Sequence, residues 1–415
     1  MPIKTYLPYN QRFFQKEFRS CLLISMSSHI MPTYGRLPVT FTKGEGAWLW
    51  DQNNKRYLDA LSGIAVCNLG HAHPAVHQAI TQQSKTLLHT SNLYGIEPQE
   101  ELATKLCQLS AMDNVFFCNS GAEANEAAIK IARLYGHEKN IDKPAILVMK
   151  QSFHGRTMGT LSATGNPKIQ EGFSPLLDSF IHVDFNSTDA IKSALKQHTN
   201  IVAIFLEPVQ GEGGVHIPSD NYLAEVRAIC DEHNLLMMLD EVQTGIARTG
   251  AWFAFQHSAI VPDVCTLAKA LGNGVPIGAC MAKGKAATLL TAGKHGSTFG
   301  GNFLASSAAL SVLETIEKDN ICQQALEKGE AINLAFSQAL KNNSHLVEIR
   351  NKGMMIGIEL DTPCTELVSL ALDAGLLINV TNNSTIRLLP PLIIDNEQID
   401  LLVNTLCTLI HQHIQ

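Results

Sequence analysis

Between Asp263 and Lys283 the only charged side chain is Lys269, set in the apolar run Val264-Cys-Thr-Leu-Ala-Lys269-Ala-Leu ahead of a series of glycines. Desolvation and nearby positive charge lower a lysine's pKa, and the neutral amine that results can form a Schiff base with an aldehyde. A lysine on its own more often lays its stem along apolar surface and sends its head to water. Upstream, Leu235-Leu-Met-Met-Leu239 has the unbroken hydrophobicity of a buried parallel strand and runs straight into Asp240-Glu-Val-Gln-Thr-Gly245. Ligands of open α/β sheets bind outside the carboxyl ends of the strands, so Asp240 is placed to face one. For an isolated aspartate, capping the following turn is the ordinary role.

A third group lies in Val115-Phe-Phe-Cys-Asn119-Ser-Gly-Ala-Glu123, which reads as strand, glycine turn and helix start. Ser120 and Glu123 have capping-box spacing, and a helix start built of small residues offers N–H groups and a positive dipole end to a phosphate. Every capped helix has such an end, and Glu123 would repel a phosphate unless it folded back on the cap. A lysine for an aldehyde, an acid to keep a pyridine nitrogen protonated and a phosphate cradle are together what pyridoxal phosphate needs.

In order along the chain stand Gly44–Asp51, Tyr57–Val66, Leu69–Pro74, Ser91–Tyr94, Asn119–Ala124, Phe153–Arg156, Glu207–Glu212, Asp240–Gly245, Ser297–Asn302 and Arg387–Pro391. With these motifs the chain, from about Pro32 to its C-terminus, resembles the class III, fold-type I, pyridoxal phosphate-dependent aminotransferases, and within them the acetylornithine aminotransferase branch. The resemblance implies Lys269 as Schiff-base lysine and proton carrier and Asp240 as partner of the ring nitrogen. It implies cofactor contacts from Gly121, Ala122, Phe153, Glu241, Val242 and Gln243. It also implies a homodimer with composite sites, in which Thr298 reaches the partner's phosphate and Ser297 the partner's substrate.

Arg156 is a planar fork suited to a carboxylate, and Arg387 lies in an apolar segment where an unpaired guanidinium would be costly. The resemblance names Glu212 as the partner of Arg387. The same resemblance implies that Glu212 neutralises Arg387 while the amino donor is bound and withdraws when 2-oxoglutarate needs the arginine, and that Arg156 holds the far carboxylate of either substrate. The implied reaction is ping-pong: N2-acetylornithine and 2-oxoglutarate give N-acetylglutamate 5-semialdehyde and glutamate, in arginine biosynthesis. Ornithine, 4-aminobutyrate and N-succinyl-diaminopimelate remain alternative donors. Ile64, where ornithine-type relatives carry tyrosine, argues against free ornithine. A glutamate-semialdehyde aminomutase would not need the Arg387/Glu212 switch, and a non-catalytic descendant would be expected to have lost Lys269 or the arginines. Two positions depart from the family pattern: Phe303 replaces a proline and Asn54 a turn glycine.

A chain of 415 residues with 45% hydrophobic content can bury a large core, and a net charge of −7 leaves no basic footprint for nucleic acid. Ten cysteines without a CxxC pair suit reduced thiols in the cytoplasm, and His71 and His73, lacking other ligands, read as turn residues before Pro74 rather than as a metal site. No apolar stretch approaches the roughly 20 residues of a membrane span. Strands near Val115, Ala145–Met149, Ile201–Leu206, Leu235–Leu239 and Ile277–Met281 alternate with helices, which predicts an α/β fold on a mostly parallel sheet. A helix over Asn302–Lys318 and short strands at Gly357–Leu360 and Ile386–Leu389 follow. The expected division is a large cofactor-binding domain over 86–305 and a small discontinuous α+β domain made of 31–85 and 306–415. Residues 1–30 are expected to be a mobile or non-native extension, with translation starting at Met26 or Met31.

Overall fold

The computed structural model describes residues 29–413, so the expectation for the first 28 residues lies outside it. The chain divides into two units, Met1–Val39 and Thr40–Gln415. In the first, residues 29–39 form no helix or strand and are held by local bonds such as Val39 N to Leu37 O, 2.8 Å.

The second unit is built on a seven-stranded sheet in the order Asn114–Cys118, Gly278–Ala282, Val264–Leu267, Leu236–Asp240, Ile201–Leu206, Ala145–Met149, Phe180–Val183. Only Gly278–Ala282 runs against its neighbours; the rest share one direction. Ala145–Met149, Ile201–Leu206 and Leu236–Asp240 are buried at every position, which is why their sequences are unbroken apolar runs. Period-two alternation persists beneath that uniformity. Leu147, Met149, Ile204, Leu206, Met237 and Leu239 join one core, while Ile146, Val148, Phe205 and Met238 join another with Ala128, Ile131 and Ala132 of the helix Gly121–Glu138.

Two four-stranded sheets flank this framework. Phe41–Glu45, Trp48–Asp51 and Arg56–Asp59 form a meander to which Leu376–Leu377 adds in parallel, so sequence ends far apart share one sheet. Leu346–Lys352, Met355–Leu360, Thr385–Leu388 and Asn379–Thr381 make an antiparallel sheet in that order. The strands Phe180–Val183 and Val264–Leu267 add to those expected from the sequence; the second hides inside the apolar run that carries Lys269. Asn54 sits at φ 62°, a conformation that asparagine tolerates better than most residues. Phe303 opens the helix Phe303–Lys318, and Asn302 caps it by accepting from Ala305 N.

Candidate active site

Asp240 ends its strand 4% exposed, at the centre of a set of donors. Its Oδ2 accepts from Asn125 Nδ2 at 2.7 Å and from His154 Nδ1 at 2.8 Å; its Oδ1 accepts from Val242 N at 3.0 Å. The donors are themselves fixed. His154 is stacked on Phe205 with centroids 4.2 Å apart, and Asn125 Oδ1 accepts from Thr266 Oγ1 at 2.6 Å. Three donors hold the buried carboxyl group in one orientation. Glu207 lies close by, and burial, reinforced by the charge of Asp240, pushes its carboxyl up to about 8. It accepts from Phe153 N and Gly211 N, at 3.0 and 3.3 Å.

Asp240 opens on a cavity of about 400 Å³ lined also by Lys269, Gly121, Ala122, Phe153, Arg156, Val242 and Gln243. Lys269 follows the strand Val264–Leu267 after one intervening residue, Ala268, at φ 43°. A non-glycine residue in that region is strained, which is common where a side chain must be aimed. Burial lowers the pKa of its amine and Arg387 adds to the effect, while Glu212, Asp240 and Glu207 oppose it. At the helix start, Ser120 Oγ accepts from Glu123 N, and Glu123 turns back so that its Oε2 accepts from Asn119 N at 2.8 Å. The acid is thereby drawn onto the cap, and the first N–H groups of the helix, at Gly121 and Ala122, have no acceptor within it. Gln243 Oε1 is buried without a partner. Gly211 makes room for that amide, because a Cβ there would lie 2.1 Å from Gln243 Oε1.

Arg387 is 1% exposed on the strand Thr385–Leu388. Its Nη1 donates to Glu212 Oε1 and its Nη2 to Asn379 Oδ1, both at 2.7 Å. Burial raises the pKa of Glu212, but the charge and hydrogen bond of Arg387 outweigh it and the net shift is downward. Arg156 is exposed at the cavity wall, its guanidinium 5.7 Å from the Phe153 ring. Ser62, Gly63, Ile64 and Ala65 form a left-handed turn, with φ of 46°, 67°, 67° and 59°. Asp59 Oδ1 accepts from Leu61 N and Ser62 N, and Ser62 Oγ donates to Leu389 O. The turn leads to Val66 in the cavity wall, and Ile64 packs beside Val209 and Val215. Arg248, fully buried, also holds this region by donating to Pro390 O, Met354 O and Asn68 Oδ1.

The structure thus brings Lys269, Asp240, Gly121, Ala122, Phe153, Val242, Gln243 and Arg156 to one cavity, with the Glu212–Arg387 pair acting electrostatically on Lys269. Glu241 is a correction to the expected cofactor contacts. Its carboxylate is consumed by Ala254 N, Phe255 N and Thr244 Oγ1, so it holds the 254–255 turn and is absent from the cavity wall. Ser297 Oγ accepts from Asn119 Nδ2 and Gly300 N in the same chain, and Thr298 is exposed outside the cavity lining. His71 is more than a turn residue, since its Nε2 lies 2.7 Å from Asp59 Oδ2. His154, Asn125, Glu207 and Asn379 also support the site, though no expectation from the sequence falls on them. His154 and Glu207 stood inside recognised motifs, and Asn125 lies on the same helix one turn past the cap. For Asn379 no local pattern existed; it is found only by its cross-strand pairing with Arg387.

These residues fit pyridoxal phosphate, because the unpartnered Gln243 oxygen, the free helix N–H groups, the donor-clamped Asp240 and the desolvated Lys269 all face or border one space. The profile of the family described as Aminotransferase class-III matches residues 30–410. An acetylornithine aminotransferase of Nitrosomonas europaea is 54% identical over 383 residues, 92% of this chain and 98% of that protein. The ornithine aminotransferase of Toxoplasma gondii ME49 superposes with a TM-score of 0.89 at 30% identity, over 96% of this chain and 95% of that one. The N-acetylornithine aminotransferase of Stenotrophomonas maltophilia K279a gives 0.81 at 33% identity, over 92% and 98%. Agreement of this extent, around a site whose parts suit the same cofactor, leaves one conclusion: the chain belongs to the class-III aminotransferases and works with pyridoxal 5'-phosphate.

Proposed function

We propose that the chain moves the terminal amino group of N2-acetylornithine to 2-oxoglutarate, giving N-acetylglutamate 5-semialdehyde and glutamate, a step of arginine biosynthesis. The observation that carries the reading is the pairing of buried Arg387 with Glu212 beside Lys269. A guanidinium that can be either neutralised or free serves a donor whose reacting end bears no carboxylate and an acceptor whose reacting end does. Arg156 then holds the carboxylate at the far end of each substrate.

Bound pyridoxal phosphate supplies an electron sink for the carbon that loses its proton. The Gly121–Ala122 helix start would take its phosphate, Asp240 its ring nitrogen and Gln243 its ring hydroxyl, with Phe153 and Val242 beside it. Lys269 Nζ, its pKa lowered by burial, takes the proton from the amine-bearing carbon of the donor and hands it on. His154 and Asn125 keep Asp240 aimed while that proton moves. Donor and acceptor occupy one cavity in turn, so the kinetics are ping-pong.

Two observations support the acylated donor over ornithine. The Nitrosomonas relative, 54% identical over 92% of this chain, is named for acetylornithine, and Ile64 has no polar group to offer a free α-amine. Specificity constants for N2-acetylornithine, ornithine, 4-aminobutyrate and N-succinyl-diaminopimelate test the reading. N2-acetylornithine is expected to lead; if ornithine overtakes it, the donor is wrong while the family stands.

A homodimer with shared sites belongs to the same reading. Leu93 and Tyr94 are 87% and 70% exposed, near an exposed Phe299, and Asn92 Nδ2 ties the two segments together through Ser297 O and Gly300 O. This apolar, braced surface supports a partner that would receive Thr298 at its phosphate and Ser297 at its substrate. Equilibrium sedimentation checks it, since a fully active monomer would contradict shared sites. The nine described cysteines are all unpaired, which supports a cytoplasmic location.

A further inference from the structure

One row of cross-strand neighbours runs across the whole C-terminal sheet: Arg350 faces Gly357, Gly357 faces Arg387 and Arg387 faces Asn379. Directly opposed residues project from the same face, so two buried arginines stand on either side of a glycine. The gap between them is filled by the loop that carries Glu212. A Cβ on Gly357 would lie 2.9 Å from Val215 Cβ. Arg350 Nε donates to Val215 O at 2.8 Å and its Nη2 to Gly214 O at 2.6 Å. Its Nη1 is shared by Glu359 and Glu348, a facing pair on the same two strands.

The loop needs such a hold. Gln210 and His216 pair backbone to backbone at its neck, and just before His216 the residues Gly214 and Val215 sit at φ 126° and 56°. A β-branched residue there is strained and persists only where its surroundings over-determine it. Glu212 lies two residues from Gly214, and its carboxylate reaches Arg387, next but one to Arg350 in the row.

We propose that Arg350 and Gly357 are positioning residues for the Glu212 gate. They pin the main chain of the loop to the sheet that carries Arg387, so that the choice between covering and freeing Arg387 is a motion of the Glu212 side chain alone. The proposal rests on the Glu212–Arg387 switch of the function proposed above. With the clamp loosened, Glu212 covers Arg387 less well, dicarboxylates bind more tightly and the donor reacts more slowly.

The test uses holoenzyme and glutarate, an unreactive five-carbon dicarboxylate, titrated calorimetrically, together with single-turnover rates for donor and acceptor. Glu212→Ala, the reference, tightens glutarate about tenfold, the scale of one charged hydrogen bond. Arg350→Met and Gly357→Ala each tighten it about threefold or more and slow the donor half-reaction without slowing that of 2-oxoglutarate. Arg350→Lys, unable to reach both carbonyls, falls between wild type and Arg350→Met. Combined with Glu212→Ala, neither change adds anything, because the gate it positions is gone. Gly357→Ala leaves the Arg350 side chain in place and acts by crowding Val215, so it carries the test if Arg350→Met does not fold. Equal losses in both half-reactions with unchanged glutarate affinity, or effects that multiply in the Glu212→Ala background, overturn the clamp and leave the gate standing. If Glu212→Ala alone changes neither glutarate affinity nor donor rate, the gate itself is wrong and the clamp falls with it.

Discussion

Glu207→Gln isolates the cost of a carboxyl group enclosed beside Asp240. An exposed glutamate ionises near 4.5, whereas burial and the Asp240 charge push Glu207 up to about 8. Between those values the unfolded chain gives up its proton and the folded chain keeps it, so the folded state binds one proton more and stability falls as pH rises. The slope is about 1.4 kcal/mol per pH unit, and over the ~3.5 units of the window the cost reaches about 5 kcal/mol. Glutamine has no proton to release. Its amide loses the longer bond, Gly211 N to Oε1, and keeps that of Phe153 N, a fixed loss of about 1 kcal/mol. Urea denaturation of the cofactor-free protein at pH 5, 6, 7 and 8 reads the difference. The variant starts slightly less stable than wild type at pH 5 and overtakes it by pH 7. Curves that stay parallel across this range would refute the assignment of a protonated Glu207.

Lys269→Ala should leave a folded protein whose turnover is lower by on the order of ten thousandfold, since both covalent anchor and proton carrier are lost; turnover assay and thermal melt together check it. Arg387→Ala should cut the 2-oxoglutarate half-reaction by about a hundredfold while sparing the donor's, whereas Arg156→Ala should weaken both; specificity constants for each substrate separate the two. For His71, burial alone would lower the pKa, but the bond to Asp59 outweighs it and raises the group to about 9. A raised histidine contributes fully below its unfolded value near 6.5 and loses that contribution as pH climbs through 9. His71→Ala should therefore cost on the order of 2 kcal/mol at pH 6 and little at pH 10, measured by denaturant melts.

The parts of the fold legible beforehand were those in which one local cause dominates. Unbroken apolar runs marked Ala145–Met149 and Ile201–Leu206, because strands covered on both faces have no polar side to show. The cap at Ser120 was legible from its spacing, and so was the placing of Asp240 near a strand's end. Val264–Leu267 was not, since its burial merges it with the lysine segment and only the backbone turn at Lys269 separates them. The supports of the site were also obscure. His154, Asn125 and Asn379 act on Asp240 and Arg387 across 86, 115 and 8 residues of chain, and even the shortest of these is a strand-to-strand relation that no periodicity announces. Glu241 misled for a related reason. Adjacent strand-end acids point to opposite sides, and only Asp240 points to the cavity.

The left-handed turn Ser62–Ala65 bears on how this enzyme could change its diet. Isoleucine at φ 67° is among the least comfortable choices for such a backbone, at a cost of about 1–3 kcal/mol. The turn is held from outside by Asp59 and by Ser62, and neither hold involves the side chain at 64. An unbranched replacement, a tyrosine included, would therefore relieve strain while setting a new group on the turn that leads to Val66 in the cavity wall. New specificities ordinarily arise at the expense of stability. At this position the two run together, so a population drifting toward sturdier variants would sample altered donor preference along the way.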